Sequence, residues 1–234
     1  MDQKIFKFRR NKISLINGDI EVELLMQAAT NVNRKLTAAL NGINGVDLDL
    51  YEIIDLRMLS GLMGEMFTNE ISKLDCRLIK NPNIDGYPDL CDISRNGQAE
   101  AVKYFSLNDF IAYCDGGLEV KNTFGLKKAN THIIARESRI SNIQNKLVWK
   151  AHHRQTNNLL AIHSDYVKRI PQIIAVFYSD QLTTDDWTVK QQPKVGSTMT
   201  SFCQTTPNAF LKLKQGLQFY MDDIQYEQFI GTAI

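Results

Sequence analysis

The segment Pro171–Asp180, PQIIAVFYSD, constrains the fold more than any other part of the chain. It is apolar at almost every position and rich in β-branched and aromatic residues, which marks a buried strand. A strand without a polar face belongs inside a sheet that other elements cover. Two upstream stretches suit that task. Residues 19–41 read as an amphipathic helix capped by Asp19, with Ile20, Leu24, Ala28, Val32, Leu36 and Leu40 at every fourth position. Residues 50–74 read as a second helix with the stripe Leu59, Leu62, Met63, Met66, Phe67, Ile71 and Leu74.

The pattern then changes. NPNIDGYPDLCDI places turn residues before a short apolar strand, and GGLEVKNTFG is a strand bounded by glycines. LVWKAHH and NLLAIHSDYV read as two strands around an RQTN turn, and Phe210 to Ile230 as a closing helix. Residues 94–115 fit strand or helix equally. The order of helices, mixed sheet and helix predicts an α/β core in one domain. A length of 234 residues suits one domain, and 44% hydrophobic residues leave no room for long disorder.

Several classes are excluded as expectations. No run of 18 apolar residues is present to span a membrane, and MDQKIFKFRR has no apolar core of a secretory signal. Cys76, Cys91, Cys114 and Cys203 are far apart and form no C-x-x-C, which points to reduced thiols and a cytoplasmic setting. A phosphate-binding loop, a dinucleotide fingerprint and a nucleophile elbow are all missing.

A net charge of +1 conceals a strong asymmetry. Residues 4–12 carry five bases and no acid. Residues 19–119 hold 17 acids against 8 bases, and residues 121–154 hold eight bases against one acid. Such blocks form solvated faces of opposite sign, or a phosphate-binding surface beside an acidic pocket.

Two short motifs sit where those blocks meet. Pro88-Asp89 lies at a bend before a strand, and Glu119-Val120-Lys121 opens the next one, with 29 residues between Asp89 and Glu119. Alternation puts Glu119 and Lys121 on one face of their strand. If the strands are neighbours, Asp89 and Glu119 can share Mg²⁺, a hard cation that takes oxygen ligands and keeps several waters. Lys121 can then orient the attacking water or stabilise charge on a phosphate.

YPDLCDI followed by GGLEVKNTFG resembles the active-site signature of the PD-(D/E)XK nucleases, in particular type II restriction endonucleases. The resemblance spans residues 50–180 in outline. It implies a restriction-endonuclease-like core, with a mixed central β-sheet flanked by helices and N-terminal helices. A single nuclease domain would divide into an N-terminal helical region (1–49), a catalytic core (50–180) and a C-terminal extension (181–234). It further implies Asp89 and Glu119 as Mg²⁺ ligands, the main-chain carbonyl of Val120 as a third, and Lys121 as the catalytic lysine. The family often adds a glutamate on the preceding helix. Family spacing in SGLMGEMFTNEI favours Glu65, whereas the helical wheel favours Glu70, which lies nearer the apolar stripe. Glu65 is the preferred choice.

The block that follows supplies donors for DNA. Lys127, Lys128, Arg136, Arg139 and Lys150 suit phosphates, while His152, His153, Arg154, Gln155 and Asn157 can read base edges. The resemblance implies double-stranded DNA as substrate, a homodimer that cuts one strand per subunit, a cognate DNA methyltransferase, and the cytoplasm of a bacterium or archaeon. The alternatives are a repair or recombination nuclease that reads DNA shape, or an inactive DNA-binding module of the same fold. An HNH nuclease lacks its downstream residues, and an RNA-binding protein lacks the aromatic strand motif.

Overall fold

The computed structural model describes residues 6–43, 56–82, 88–93, 117–124, 148–150, 158–167, 170–188, 195 and 202–227. In chain order they form β1 (Phe6–Phe8), β2 (Lys12–Leu15), β3 (Gly18–Glu21), α1 (Val22–Ile43) and α2 (Leu56–Leu74). Then come β4 (Leu78–Lys80), β5 (Leu90–Asp92), β6 (Glu119–Phe124), β7 (Val148–Lys150), β8 (Leu159–Val167) and β9 (Ile170–Ser179). The chain continues with β10 (Phe202–Gln204), α3 (Pro207–Gln215) and β11 (Leu217–Met221). The fold is mixed α/β, built on a five-stranded sheet in the order β1-β11-β9-β8-β6. Only the β6–β8 pair is parallel; the other three pairs in that sheet are antiparallel.

The apolar run that opened the sequence reading is β9, the middle strand. β8 is buried along its whole length and β9 along nearly all of it. α1 and α2 lie side by side against one face. α1 presents Val22, Leu25, Ala28, Ala29, Val32 and Leu36 to the core, and α2 presents Leu59, Met63, Phe67 and Ile71. The β8–β9 register slips between His163 and Ser164, leaving Ile174 as an extra residue. Asn33, in the middle of α1, fits this bulge. Its amide donates to the Ile173 carbonyl (3.0 Å) and its oxygen accepts from the Ile173 N–H (2.7 Å). A bulge disrupts ladder pairing, and here the helix makes good both groups of one residue.

Four expectations are corrected. Asp19 and Ile20 belong to β3, not to the first helix, which starts at Val22. Ile16-Asn17 is a two-residue hairpin turn, and Gly18 follows it with φ +133°. Ile13, Leu15 and Ile20 face inward, and Asp19 pairs with Lys12 across the hairpin instead of capping a helix. The region 1–49 thus carries three strands before its helix.

The closing helix is also shorter than expected. It ends at Gln215, and Leu217–Met221 enters the sheet between β1 and β9. Gly216 makes the switch: a Cβ there would meet the Tyr178 carbonyl oxygen at 1.7 Å, so no other residue fits without movement. Finally, β7 pairs with β10 and not with β8. The central sheet therefore takes strands from the N-terminal region, the middle and the C-terminal region. Among the described residues, no helix is long and apolar enough to cross a membrane.

Candidate active site

The site forms where β5 meets β6. Leu90 and Leu118 exchange main-chain hydrogen bonds (3.0 and 2.9 Å), which fastens the β4–β5 hairpin to the start of β6. This bridge sets Asp89 beside Glu119 despite their distance in sequence. Asn81 steadies the approach: its side chain donates to the Pro88 carbonyl (3.0 Å) and its N–H to the Asp89 carbonyl (2.9 Å). The Asp89 carboxylate accepts the Val120 N–H at 2.7 Å. The Glu119 N–H bonds the Asn158 carbonyl on the β8 side, so alternation puts the Val120 N–H and carbonyl on the open edge of β6.

Glu119 and Lys121 share the face opposite Val120 and Asn122. The Lys121 ammonium lies 2.6 Å from Glu119 Oε1 and 3.8 Å from Asp89 Oδ2. Glu119 is 1% exposed, while the Asp89 and Lys121 side chains keep about a quarter of their surface. Lys121 therefore serves both carboxylates in a largely desolvated corner. Burial pushes the Asp89 pKa up, opposed by Lys121 and the Val120 N–H. Burial, then the charge of Asp89, pushes Glu119 up to about 7, with Lys121 again opposing. Desolvation and a like charge both disfavour the ionised form.

α2 brings the next carboxylate. Ser60 donates to the Asn122 carbonyl (2.9 Å), and the Asn122 amide donates back to the Ser60 carbonyl (3.3 Å). Ser164 Oγ holds the Asn122 side-chain oxygen at 2.7 Å. These bonds dock the helix on the site strand. Glu65 projects from it, exposed, and pairs with Lys80 of β4 at 2.5 Å. It is close enough for its charge to raise the Asp89 pKa. Glu70 lies elsewhere. It is buried between Lys35 of α1 and Lys73, at 2.5 and 3.2 Å, and these cations hold it below the usual carboxylate range against the cost of burial. Of the two helix glutamates, Glu65 is the one at the Asp89 corner.

No group of three or more His, Cys, Asp or Glu side chains suited to a metal ion occurs among the described residues. Two acidic ligands nevertheless fit Mg²⁺, which keeps most of its water. Burial raises the titration of both acids, and a cation between them would oppose that shift. Asp89, Glu119 and the Val120 carbonyl offer the hard oxygens such an ion takes.

Lys127, Lys128, Arg136, Arg139, His152, His153, Arg154, Gln155 and Asn157 lie outside the described residues. Lys150 is in β7, opposite Phe202. The sequence reading missed Lys80, Asn81, Ser60 and Asn122, whose roles arise only from pairing across the chain. Comparison with known proteins finds no matching family model, no matching curated protein and no matching solved structure.

Proposed function

We propose that this chain is a Mg²⁺-dependent endonuclease of the type II restriction kind, hydrolysing phosphodiester bonds in double-stranded DNA, on a restriction-endonuclease-like core. One observation carries the reading: Asp89, at the bend before β5, and Glu119, the first residue of β6, both meet Lys121 on the edge of the sheet. This pair is costly to keep in a fold. Two neighbouring acids that resist ionisation, one buried and one half-buried, are a common sign of a working site.

In the reaction, a water oxygen bonds to phosphorus, the ester bond to one strand breaks, and the departing oxygen takes a proton. Asp89, Glu119 and the Val120 carbonyl would hold the ion. Bound Mg²⁺ supplies charge for the phosphate and a water of lowered pKa. The Val120 N–H fixes the Asp89 carboxylate, so its geometry does not have to be organised during the reaction. Glu119 steadies Lys121, whose ammonium stands ready for a phosphate oxygen or for the attacking water. Glu65 adds a carboxylate at the rim. A homodimer, a cognate methyltransferase and a cytoplasmic setting belong to the same proposal.

The test is a digest of several plasmid DNAs of known sequence, with Mg²⁺ or with EDTA, followed by sequencing of the ends. Discrete fragments that need Mg²⁺ and share one terminal motif are expected. No cleavage by well-folded protein at any salt concentration would overturn the catalytic reading.

A further inference from the structure

Lys80 has no part in the sequence motif, yet it stands at the rim of the site. It is the last residue of β4, directly across from Leu90 and thus one position from Asp89. Its side chain is 42% exposed and rests on Glu65, itself 61% exposed. Lys121 is the inner cation, engaged with Glu119; Lys80 is the outer one.

We propose that Lys80 is a substrate contact, taking an oxygen of a DNA backbone phosphate next to the one cleaved. This deepens the nuclease reading and rests on it. Charge supports the assignment. Among the described side chains at this corner, Asp89, Glu119 and Glu65, when ionised, outnumber Lys121 and Lys80 by one. A divalent ion turns that deficit into a single positive charge, which one phosphodiester neutralises. Exchange of partner is also easy. A solvent-exposed ion pair is weak, so Glu65 yields Lys80 to a phosphate at little cost. The charge of Lys80 already reaches Asp89, where it favours the ionised carboxylate.

The test uses the full chain and linear plasmid DNA, with Ca²⁺ replacing Mg²⁺ for binding, and compares wild type with Lys80→Met, Lys80→Arg, Glu65→Gln and the Lys80→Met/Glu65→Gln double variant. Lys80→Met keeps the aliphatic stem and removes the charge. It is expected to weaken binding about tenfold and to lower the salt dependence by about one ion, in either background, while Lys80→Arg stays near wild type. With Mg²⁺, the loss in kcat/KM should fall mainly on KM. Unchanged affinity and salt slope in Lys80→Met would overturn the proposal. So would a binding loss that vanishes in the Glu65→Gln background, since Lys80 would then only position Glu65. A wild-type protein that cuts no DNA would sink the nuclease reading separately, and the binding series would still decide the role of Lys80.

Discussion

Asp186 and the Asp89–Glu119 pair are all acids drawn out of bulk water, and the chain treats them in opposite ways. Asp186 closes a short 3₁₀ turn, Thr184–Asp186, and is 1% exposed. Its carboxylate accepts the Thr183 N–H (2.7 Å), the Lys212 ammonium (2.7 Å) and the Asn208 amide (3.3 Å). Burial pushes its pKa up, but Lys212 and the Thr183 N–H outweigh burial and leave it below the ordinary value. At β6, two carboxylates divide one lysine, and both titrate above their ordinary values. The first site is electrostatically complete. In the second, two acids stand together and burial outweighs the pull of Lys121. What separates a structural carboxylate from a candidate catalytic one here is whether its donors outweigh burial: they do at Asp186, and at Asp89 and Glu119 burial prevails.

The largest expected effect is on activity. Asp89→Asn and Lys121→Ala should each lower the cleavage rate by about a thousandfold, in line with removing one preorganised group from a charged transition state. Their melting temperatures should stay near wild type. Plasmid cleavage and a thermal melt on the same preparations check this. A variant that melts early would make the pair structural, and the contrast with Asp186 would disappear.

Next comes pH. The Glu119 pKa of about 7 in the folded chain exceeds its ordinary 4.5. Between those values the folded state keeps a proton that the unfolded chain has released. This stabilising contribution is complete below pH 4.5 and is lost as pH rises to 7. The full loss is on the order of 3 kcal/mol. His163 works in the other direction. Burial drives its pKa down to about 4 from 6.5, so its contribution is lost as pH falls through that interval. Comparing wild type with Glu119→Gln cancels the histidine. In EDTA, urea unfolding should show Glu119→Gln gaining on wild type as pH rises from 4.5 to 7. Mg²⁺ at pH 8 should recover the wild type and leave Glu119→Gln little changed. A constant difference across that range would show that Glu119 carries no unmet charge.

Asp186→Asn should cost about 2 kcal/mol, because it strips the partner of a half-buried lysine and weakens the Thr183 cap. Cleavage per folded molecule should not change. Asp186 titrates below its ordinary 3.8, so its contribution is present above that pH and fades only in stronger acid. An activity loss here without loss of stability would break the distinction drawn above.

The parts legible in sequence were those fixed by local periodicity. The buried run became β9, and the stripe from Leu59 to Ile71 became the inner face of α2. Asp89, Glu119 and Lys121 could be singled out because proline-aspartate and glutamate-x-lysine beside apolar runs are local patterns. Their meeting at 2.6 and 3.8 Å depends on the Leu90–Leu118 bridge, which no local pattern encodes. Asn17-Gly18 between alternating apolar residues was a readable hairpin signal, overridden by a helical repeat that extended back to Ile20. The strand after Gly216 was hidden because KLKQGLQFYM suits a helix until the Tyr178 carbonyl occupies the space beside Gly216.

Helix α2 offers the finest version of the comparison, with Glu65 and Glu70 little more than one turn apart. The helical wheel drew attention to Glu70 because it lies on the buried side, and it does, between Lys35 and Lys73. Two cations for one acid satisfy Glu70, as one cation and two neutral donors satisfy Asp186, and they mark a tie between α1 and α2. Glu65 meets an exposed lysine beside Asp89 and Glu119, which burial already holds above their ordinary values. Glu70→Gln should therefore lower stability by about 1 kcal/mol and spare cleavage. Glu65→Gln should change stability by less than about 0.5 kcal/mol and slow cleavage, because the altered charge acts at the Asp89 corner. Urea unfolding and single-turnover cleavage of both variants decide the point. If Glu70→Gln were the slower enzyme at equal folded fraction, the helix would contribute to catalysis through its buried face, and a carboxylate held below its ordinary pKa by its own donors would no longer identify a purely structural site.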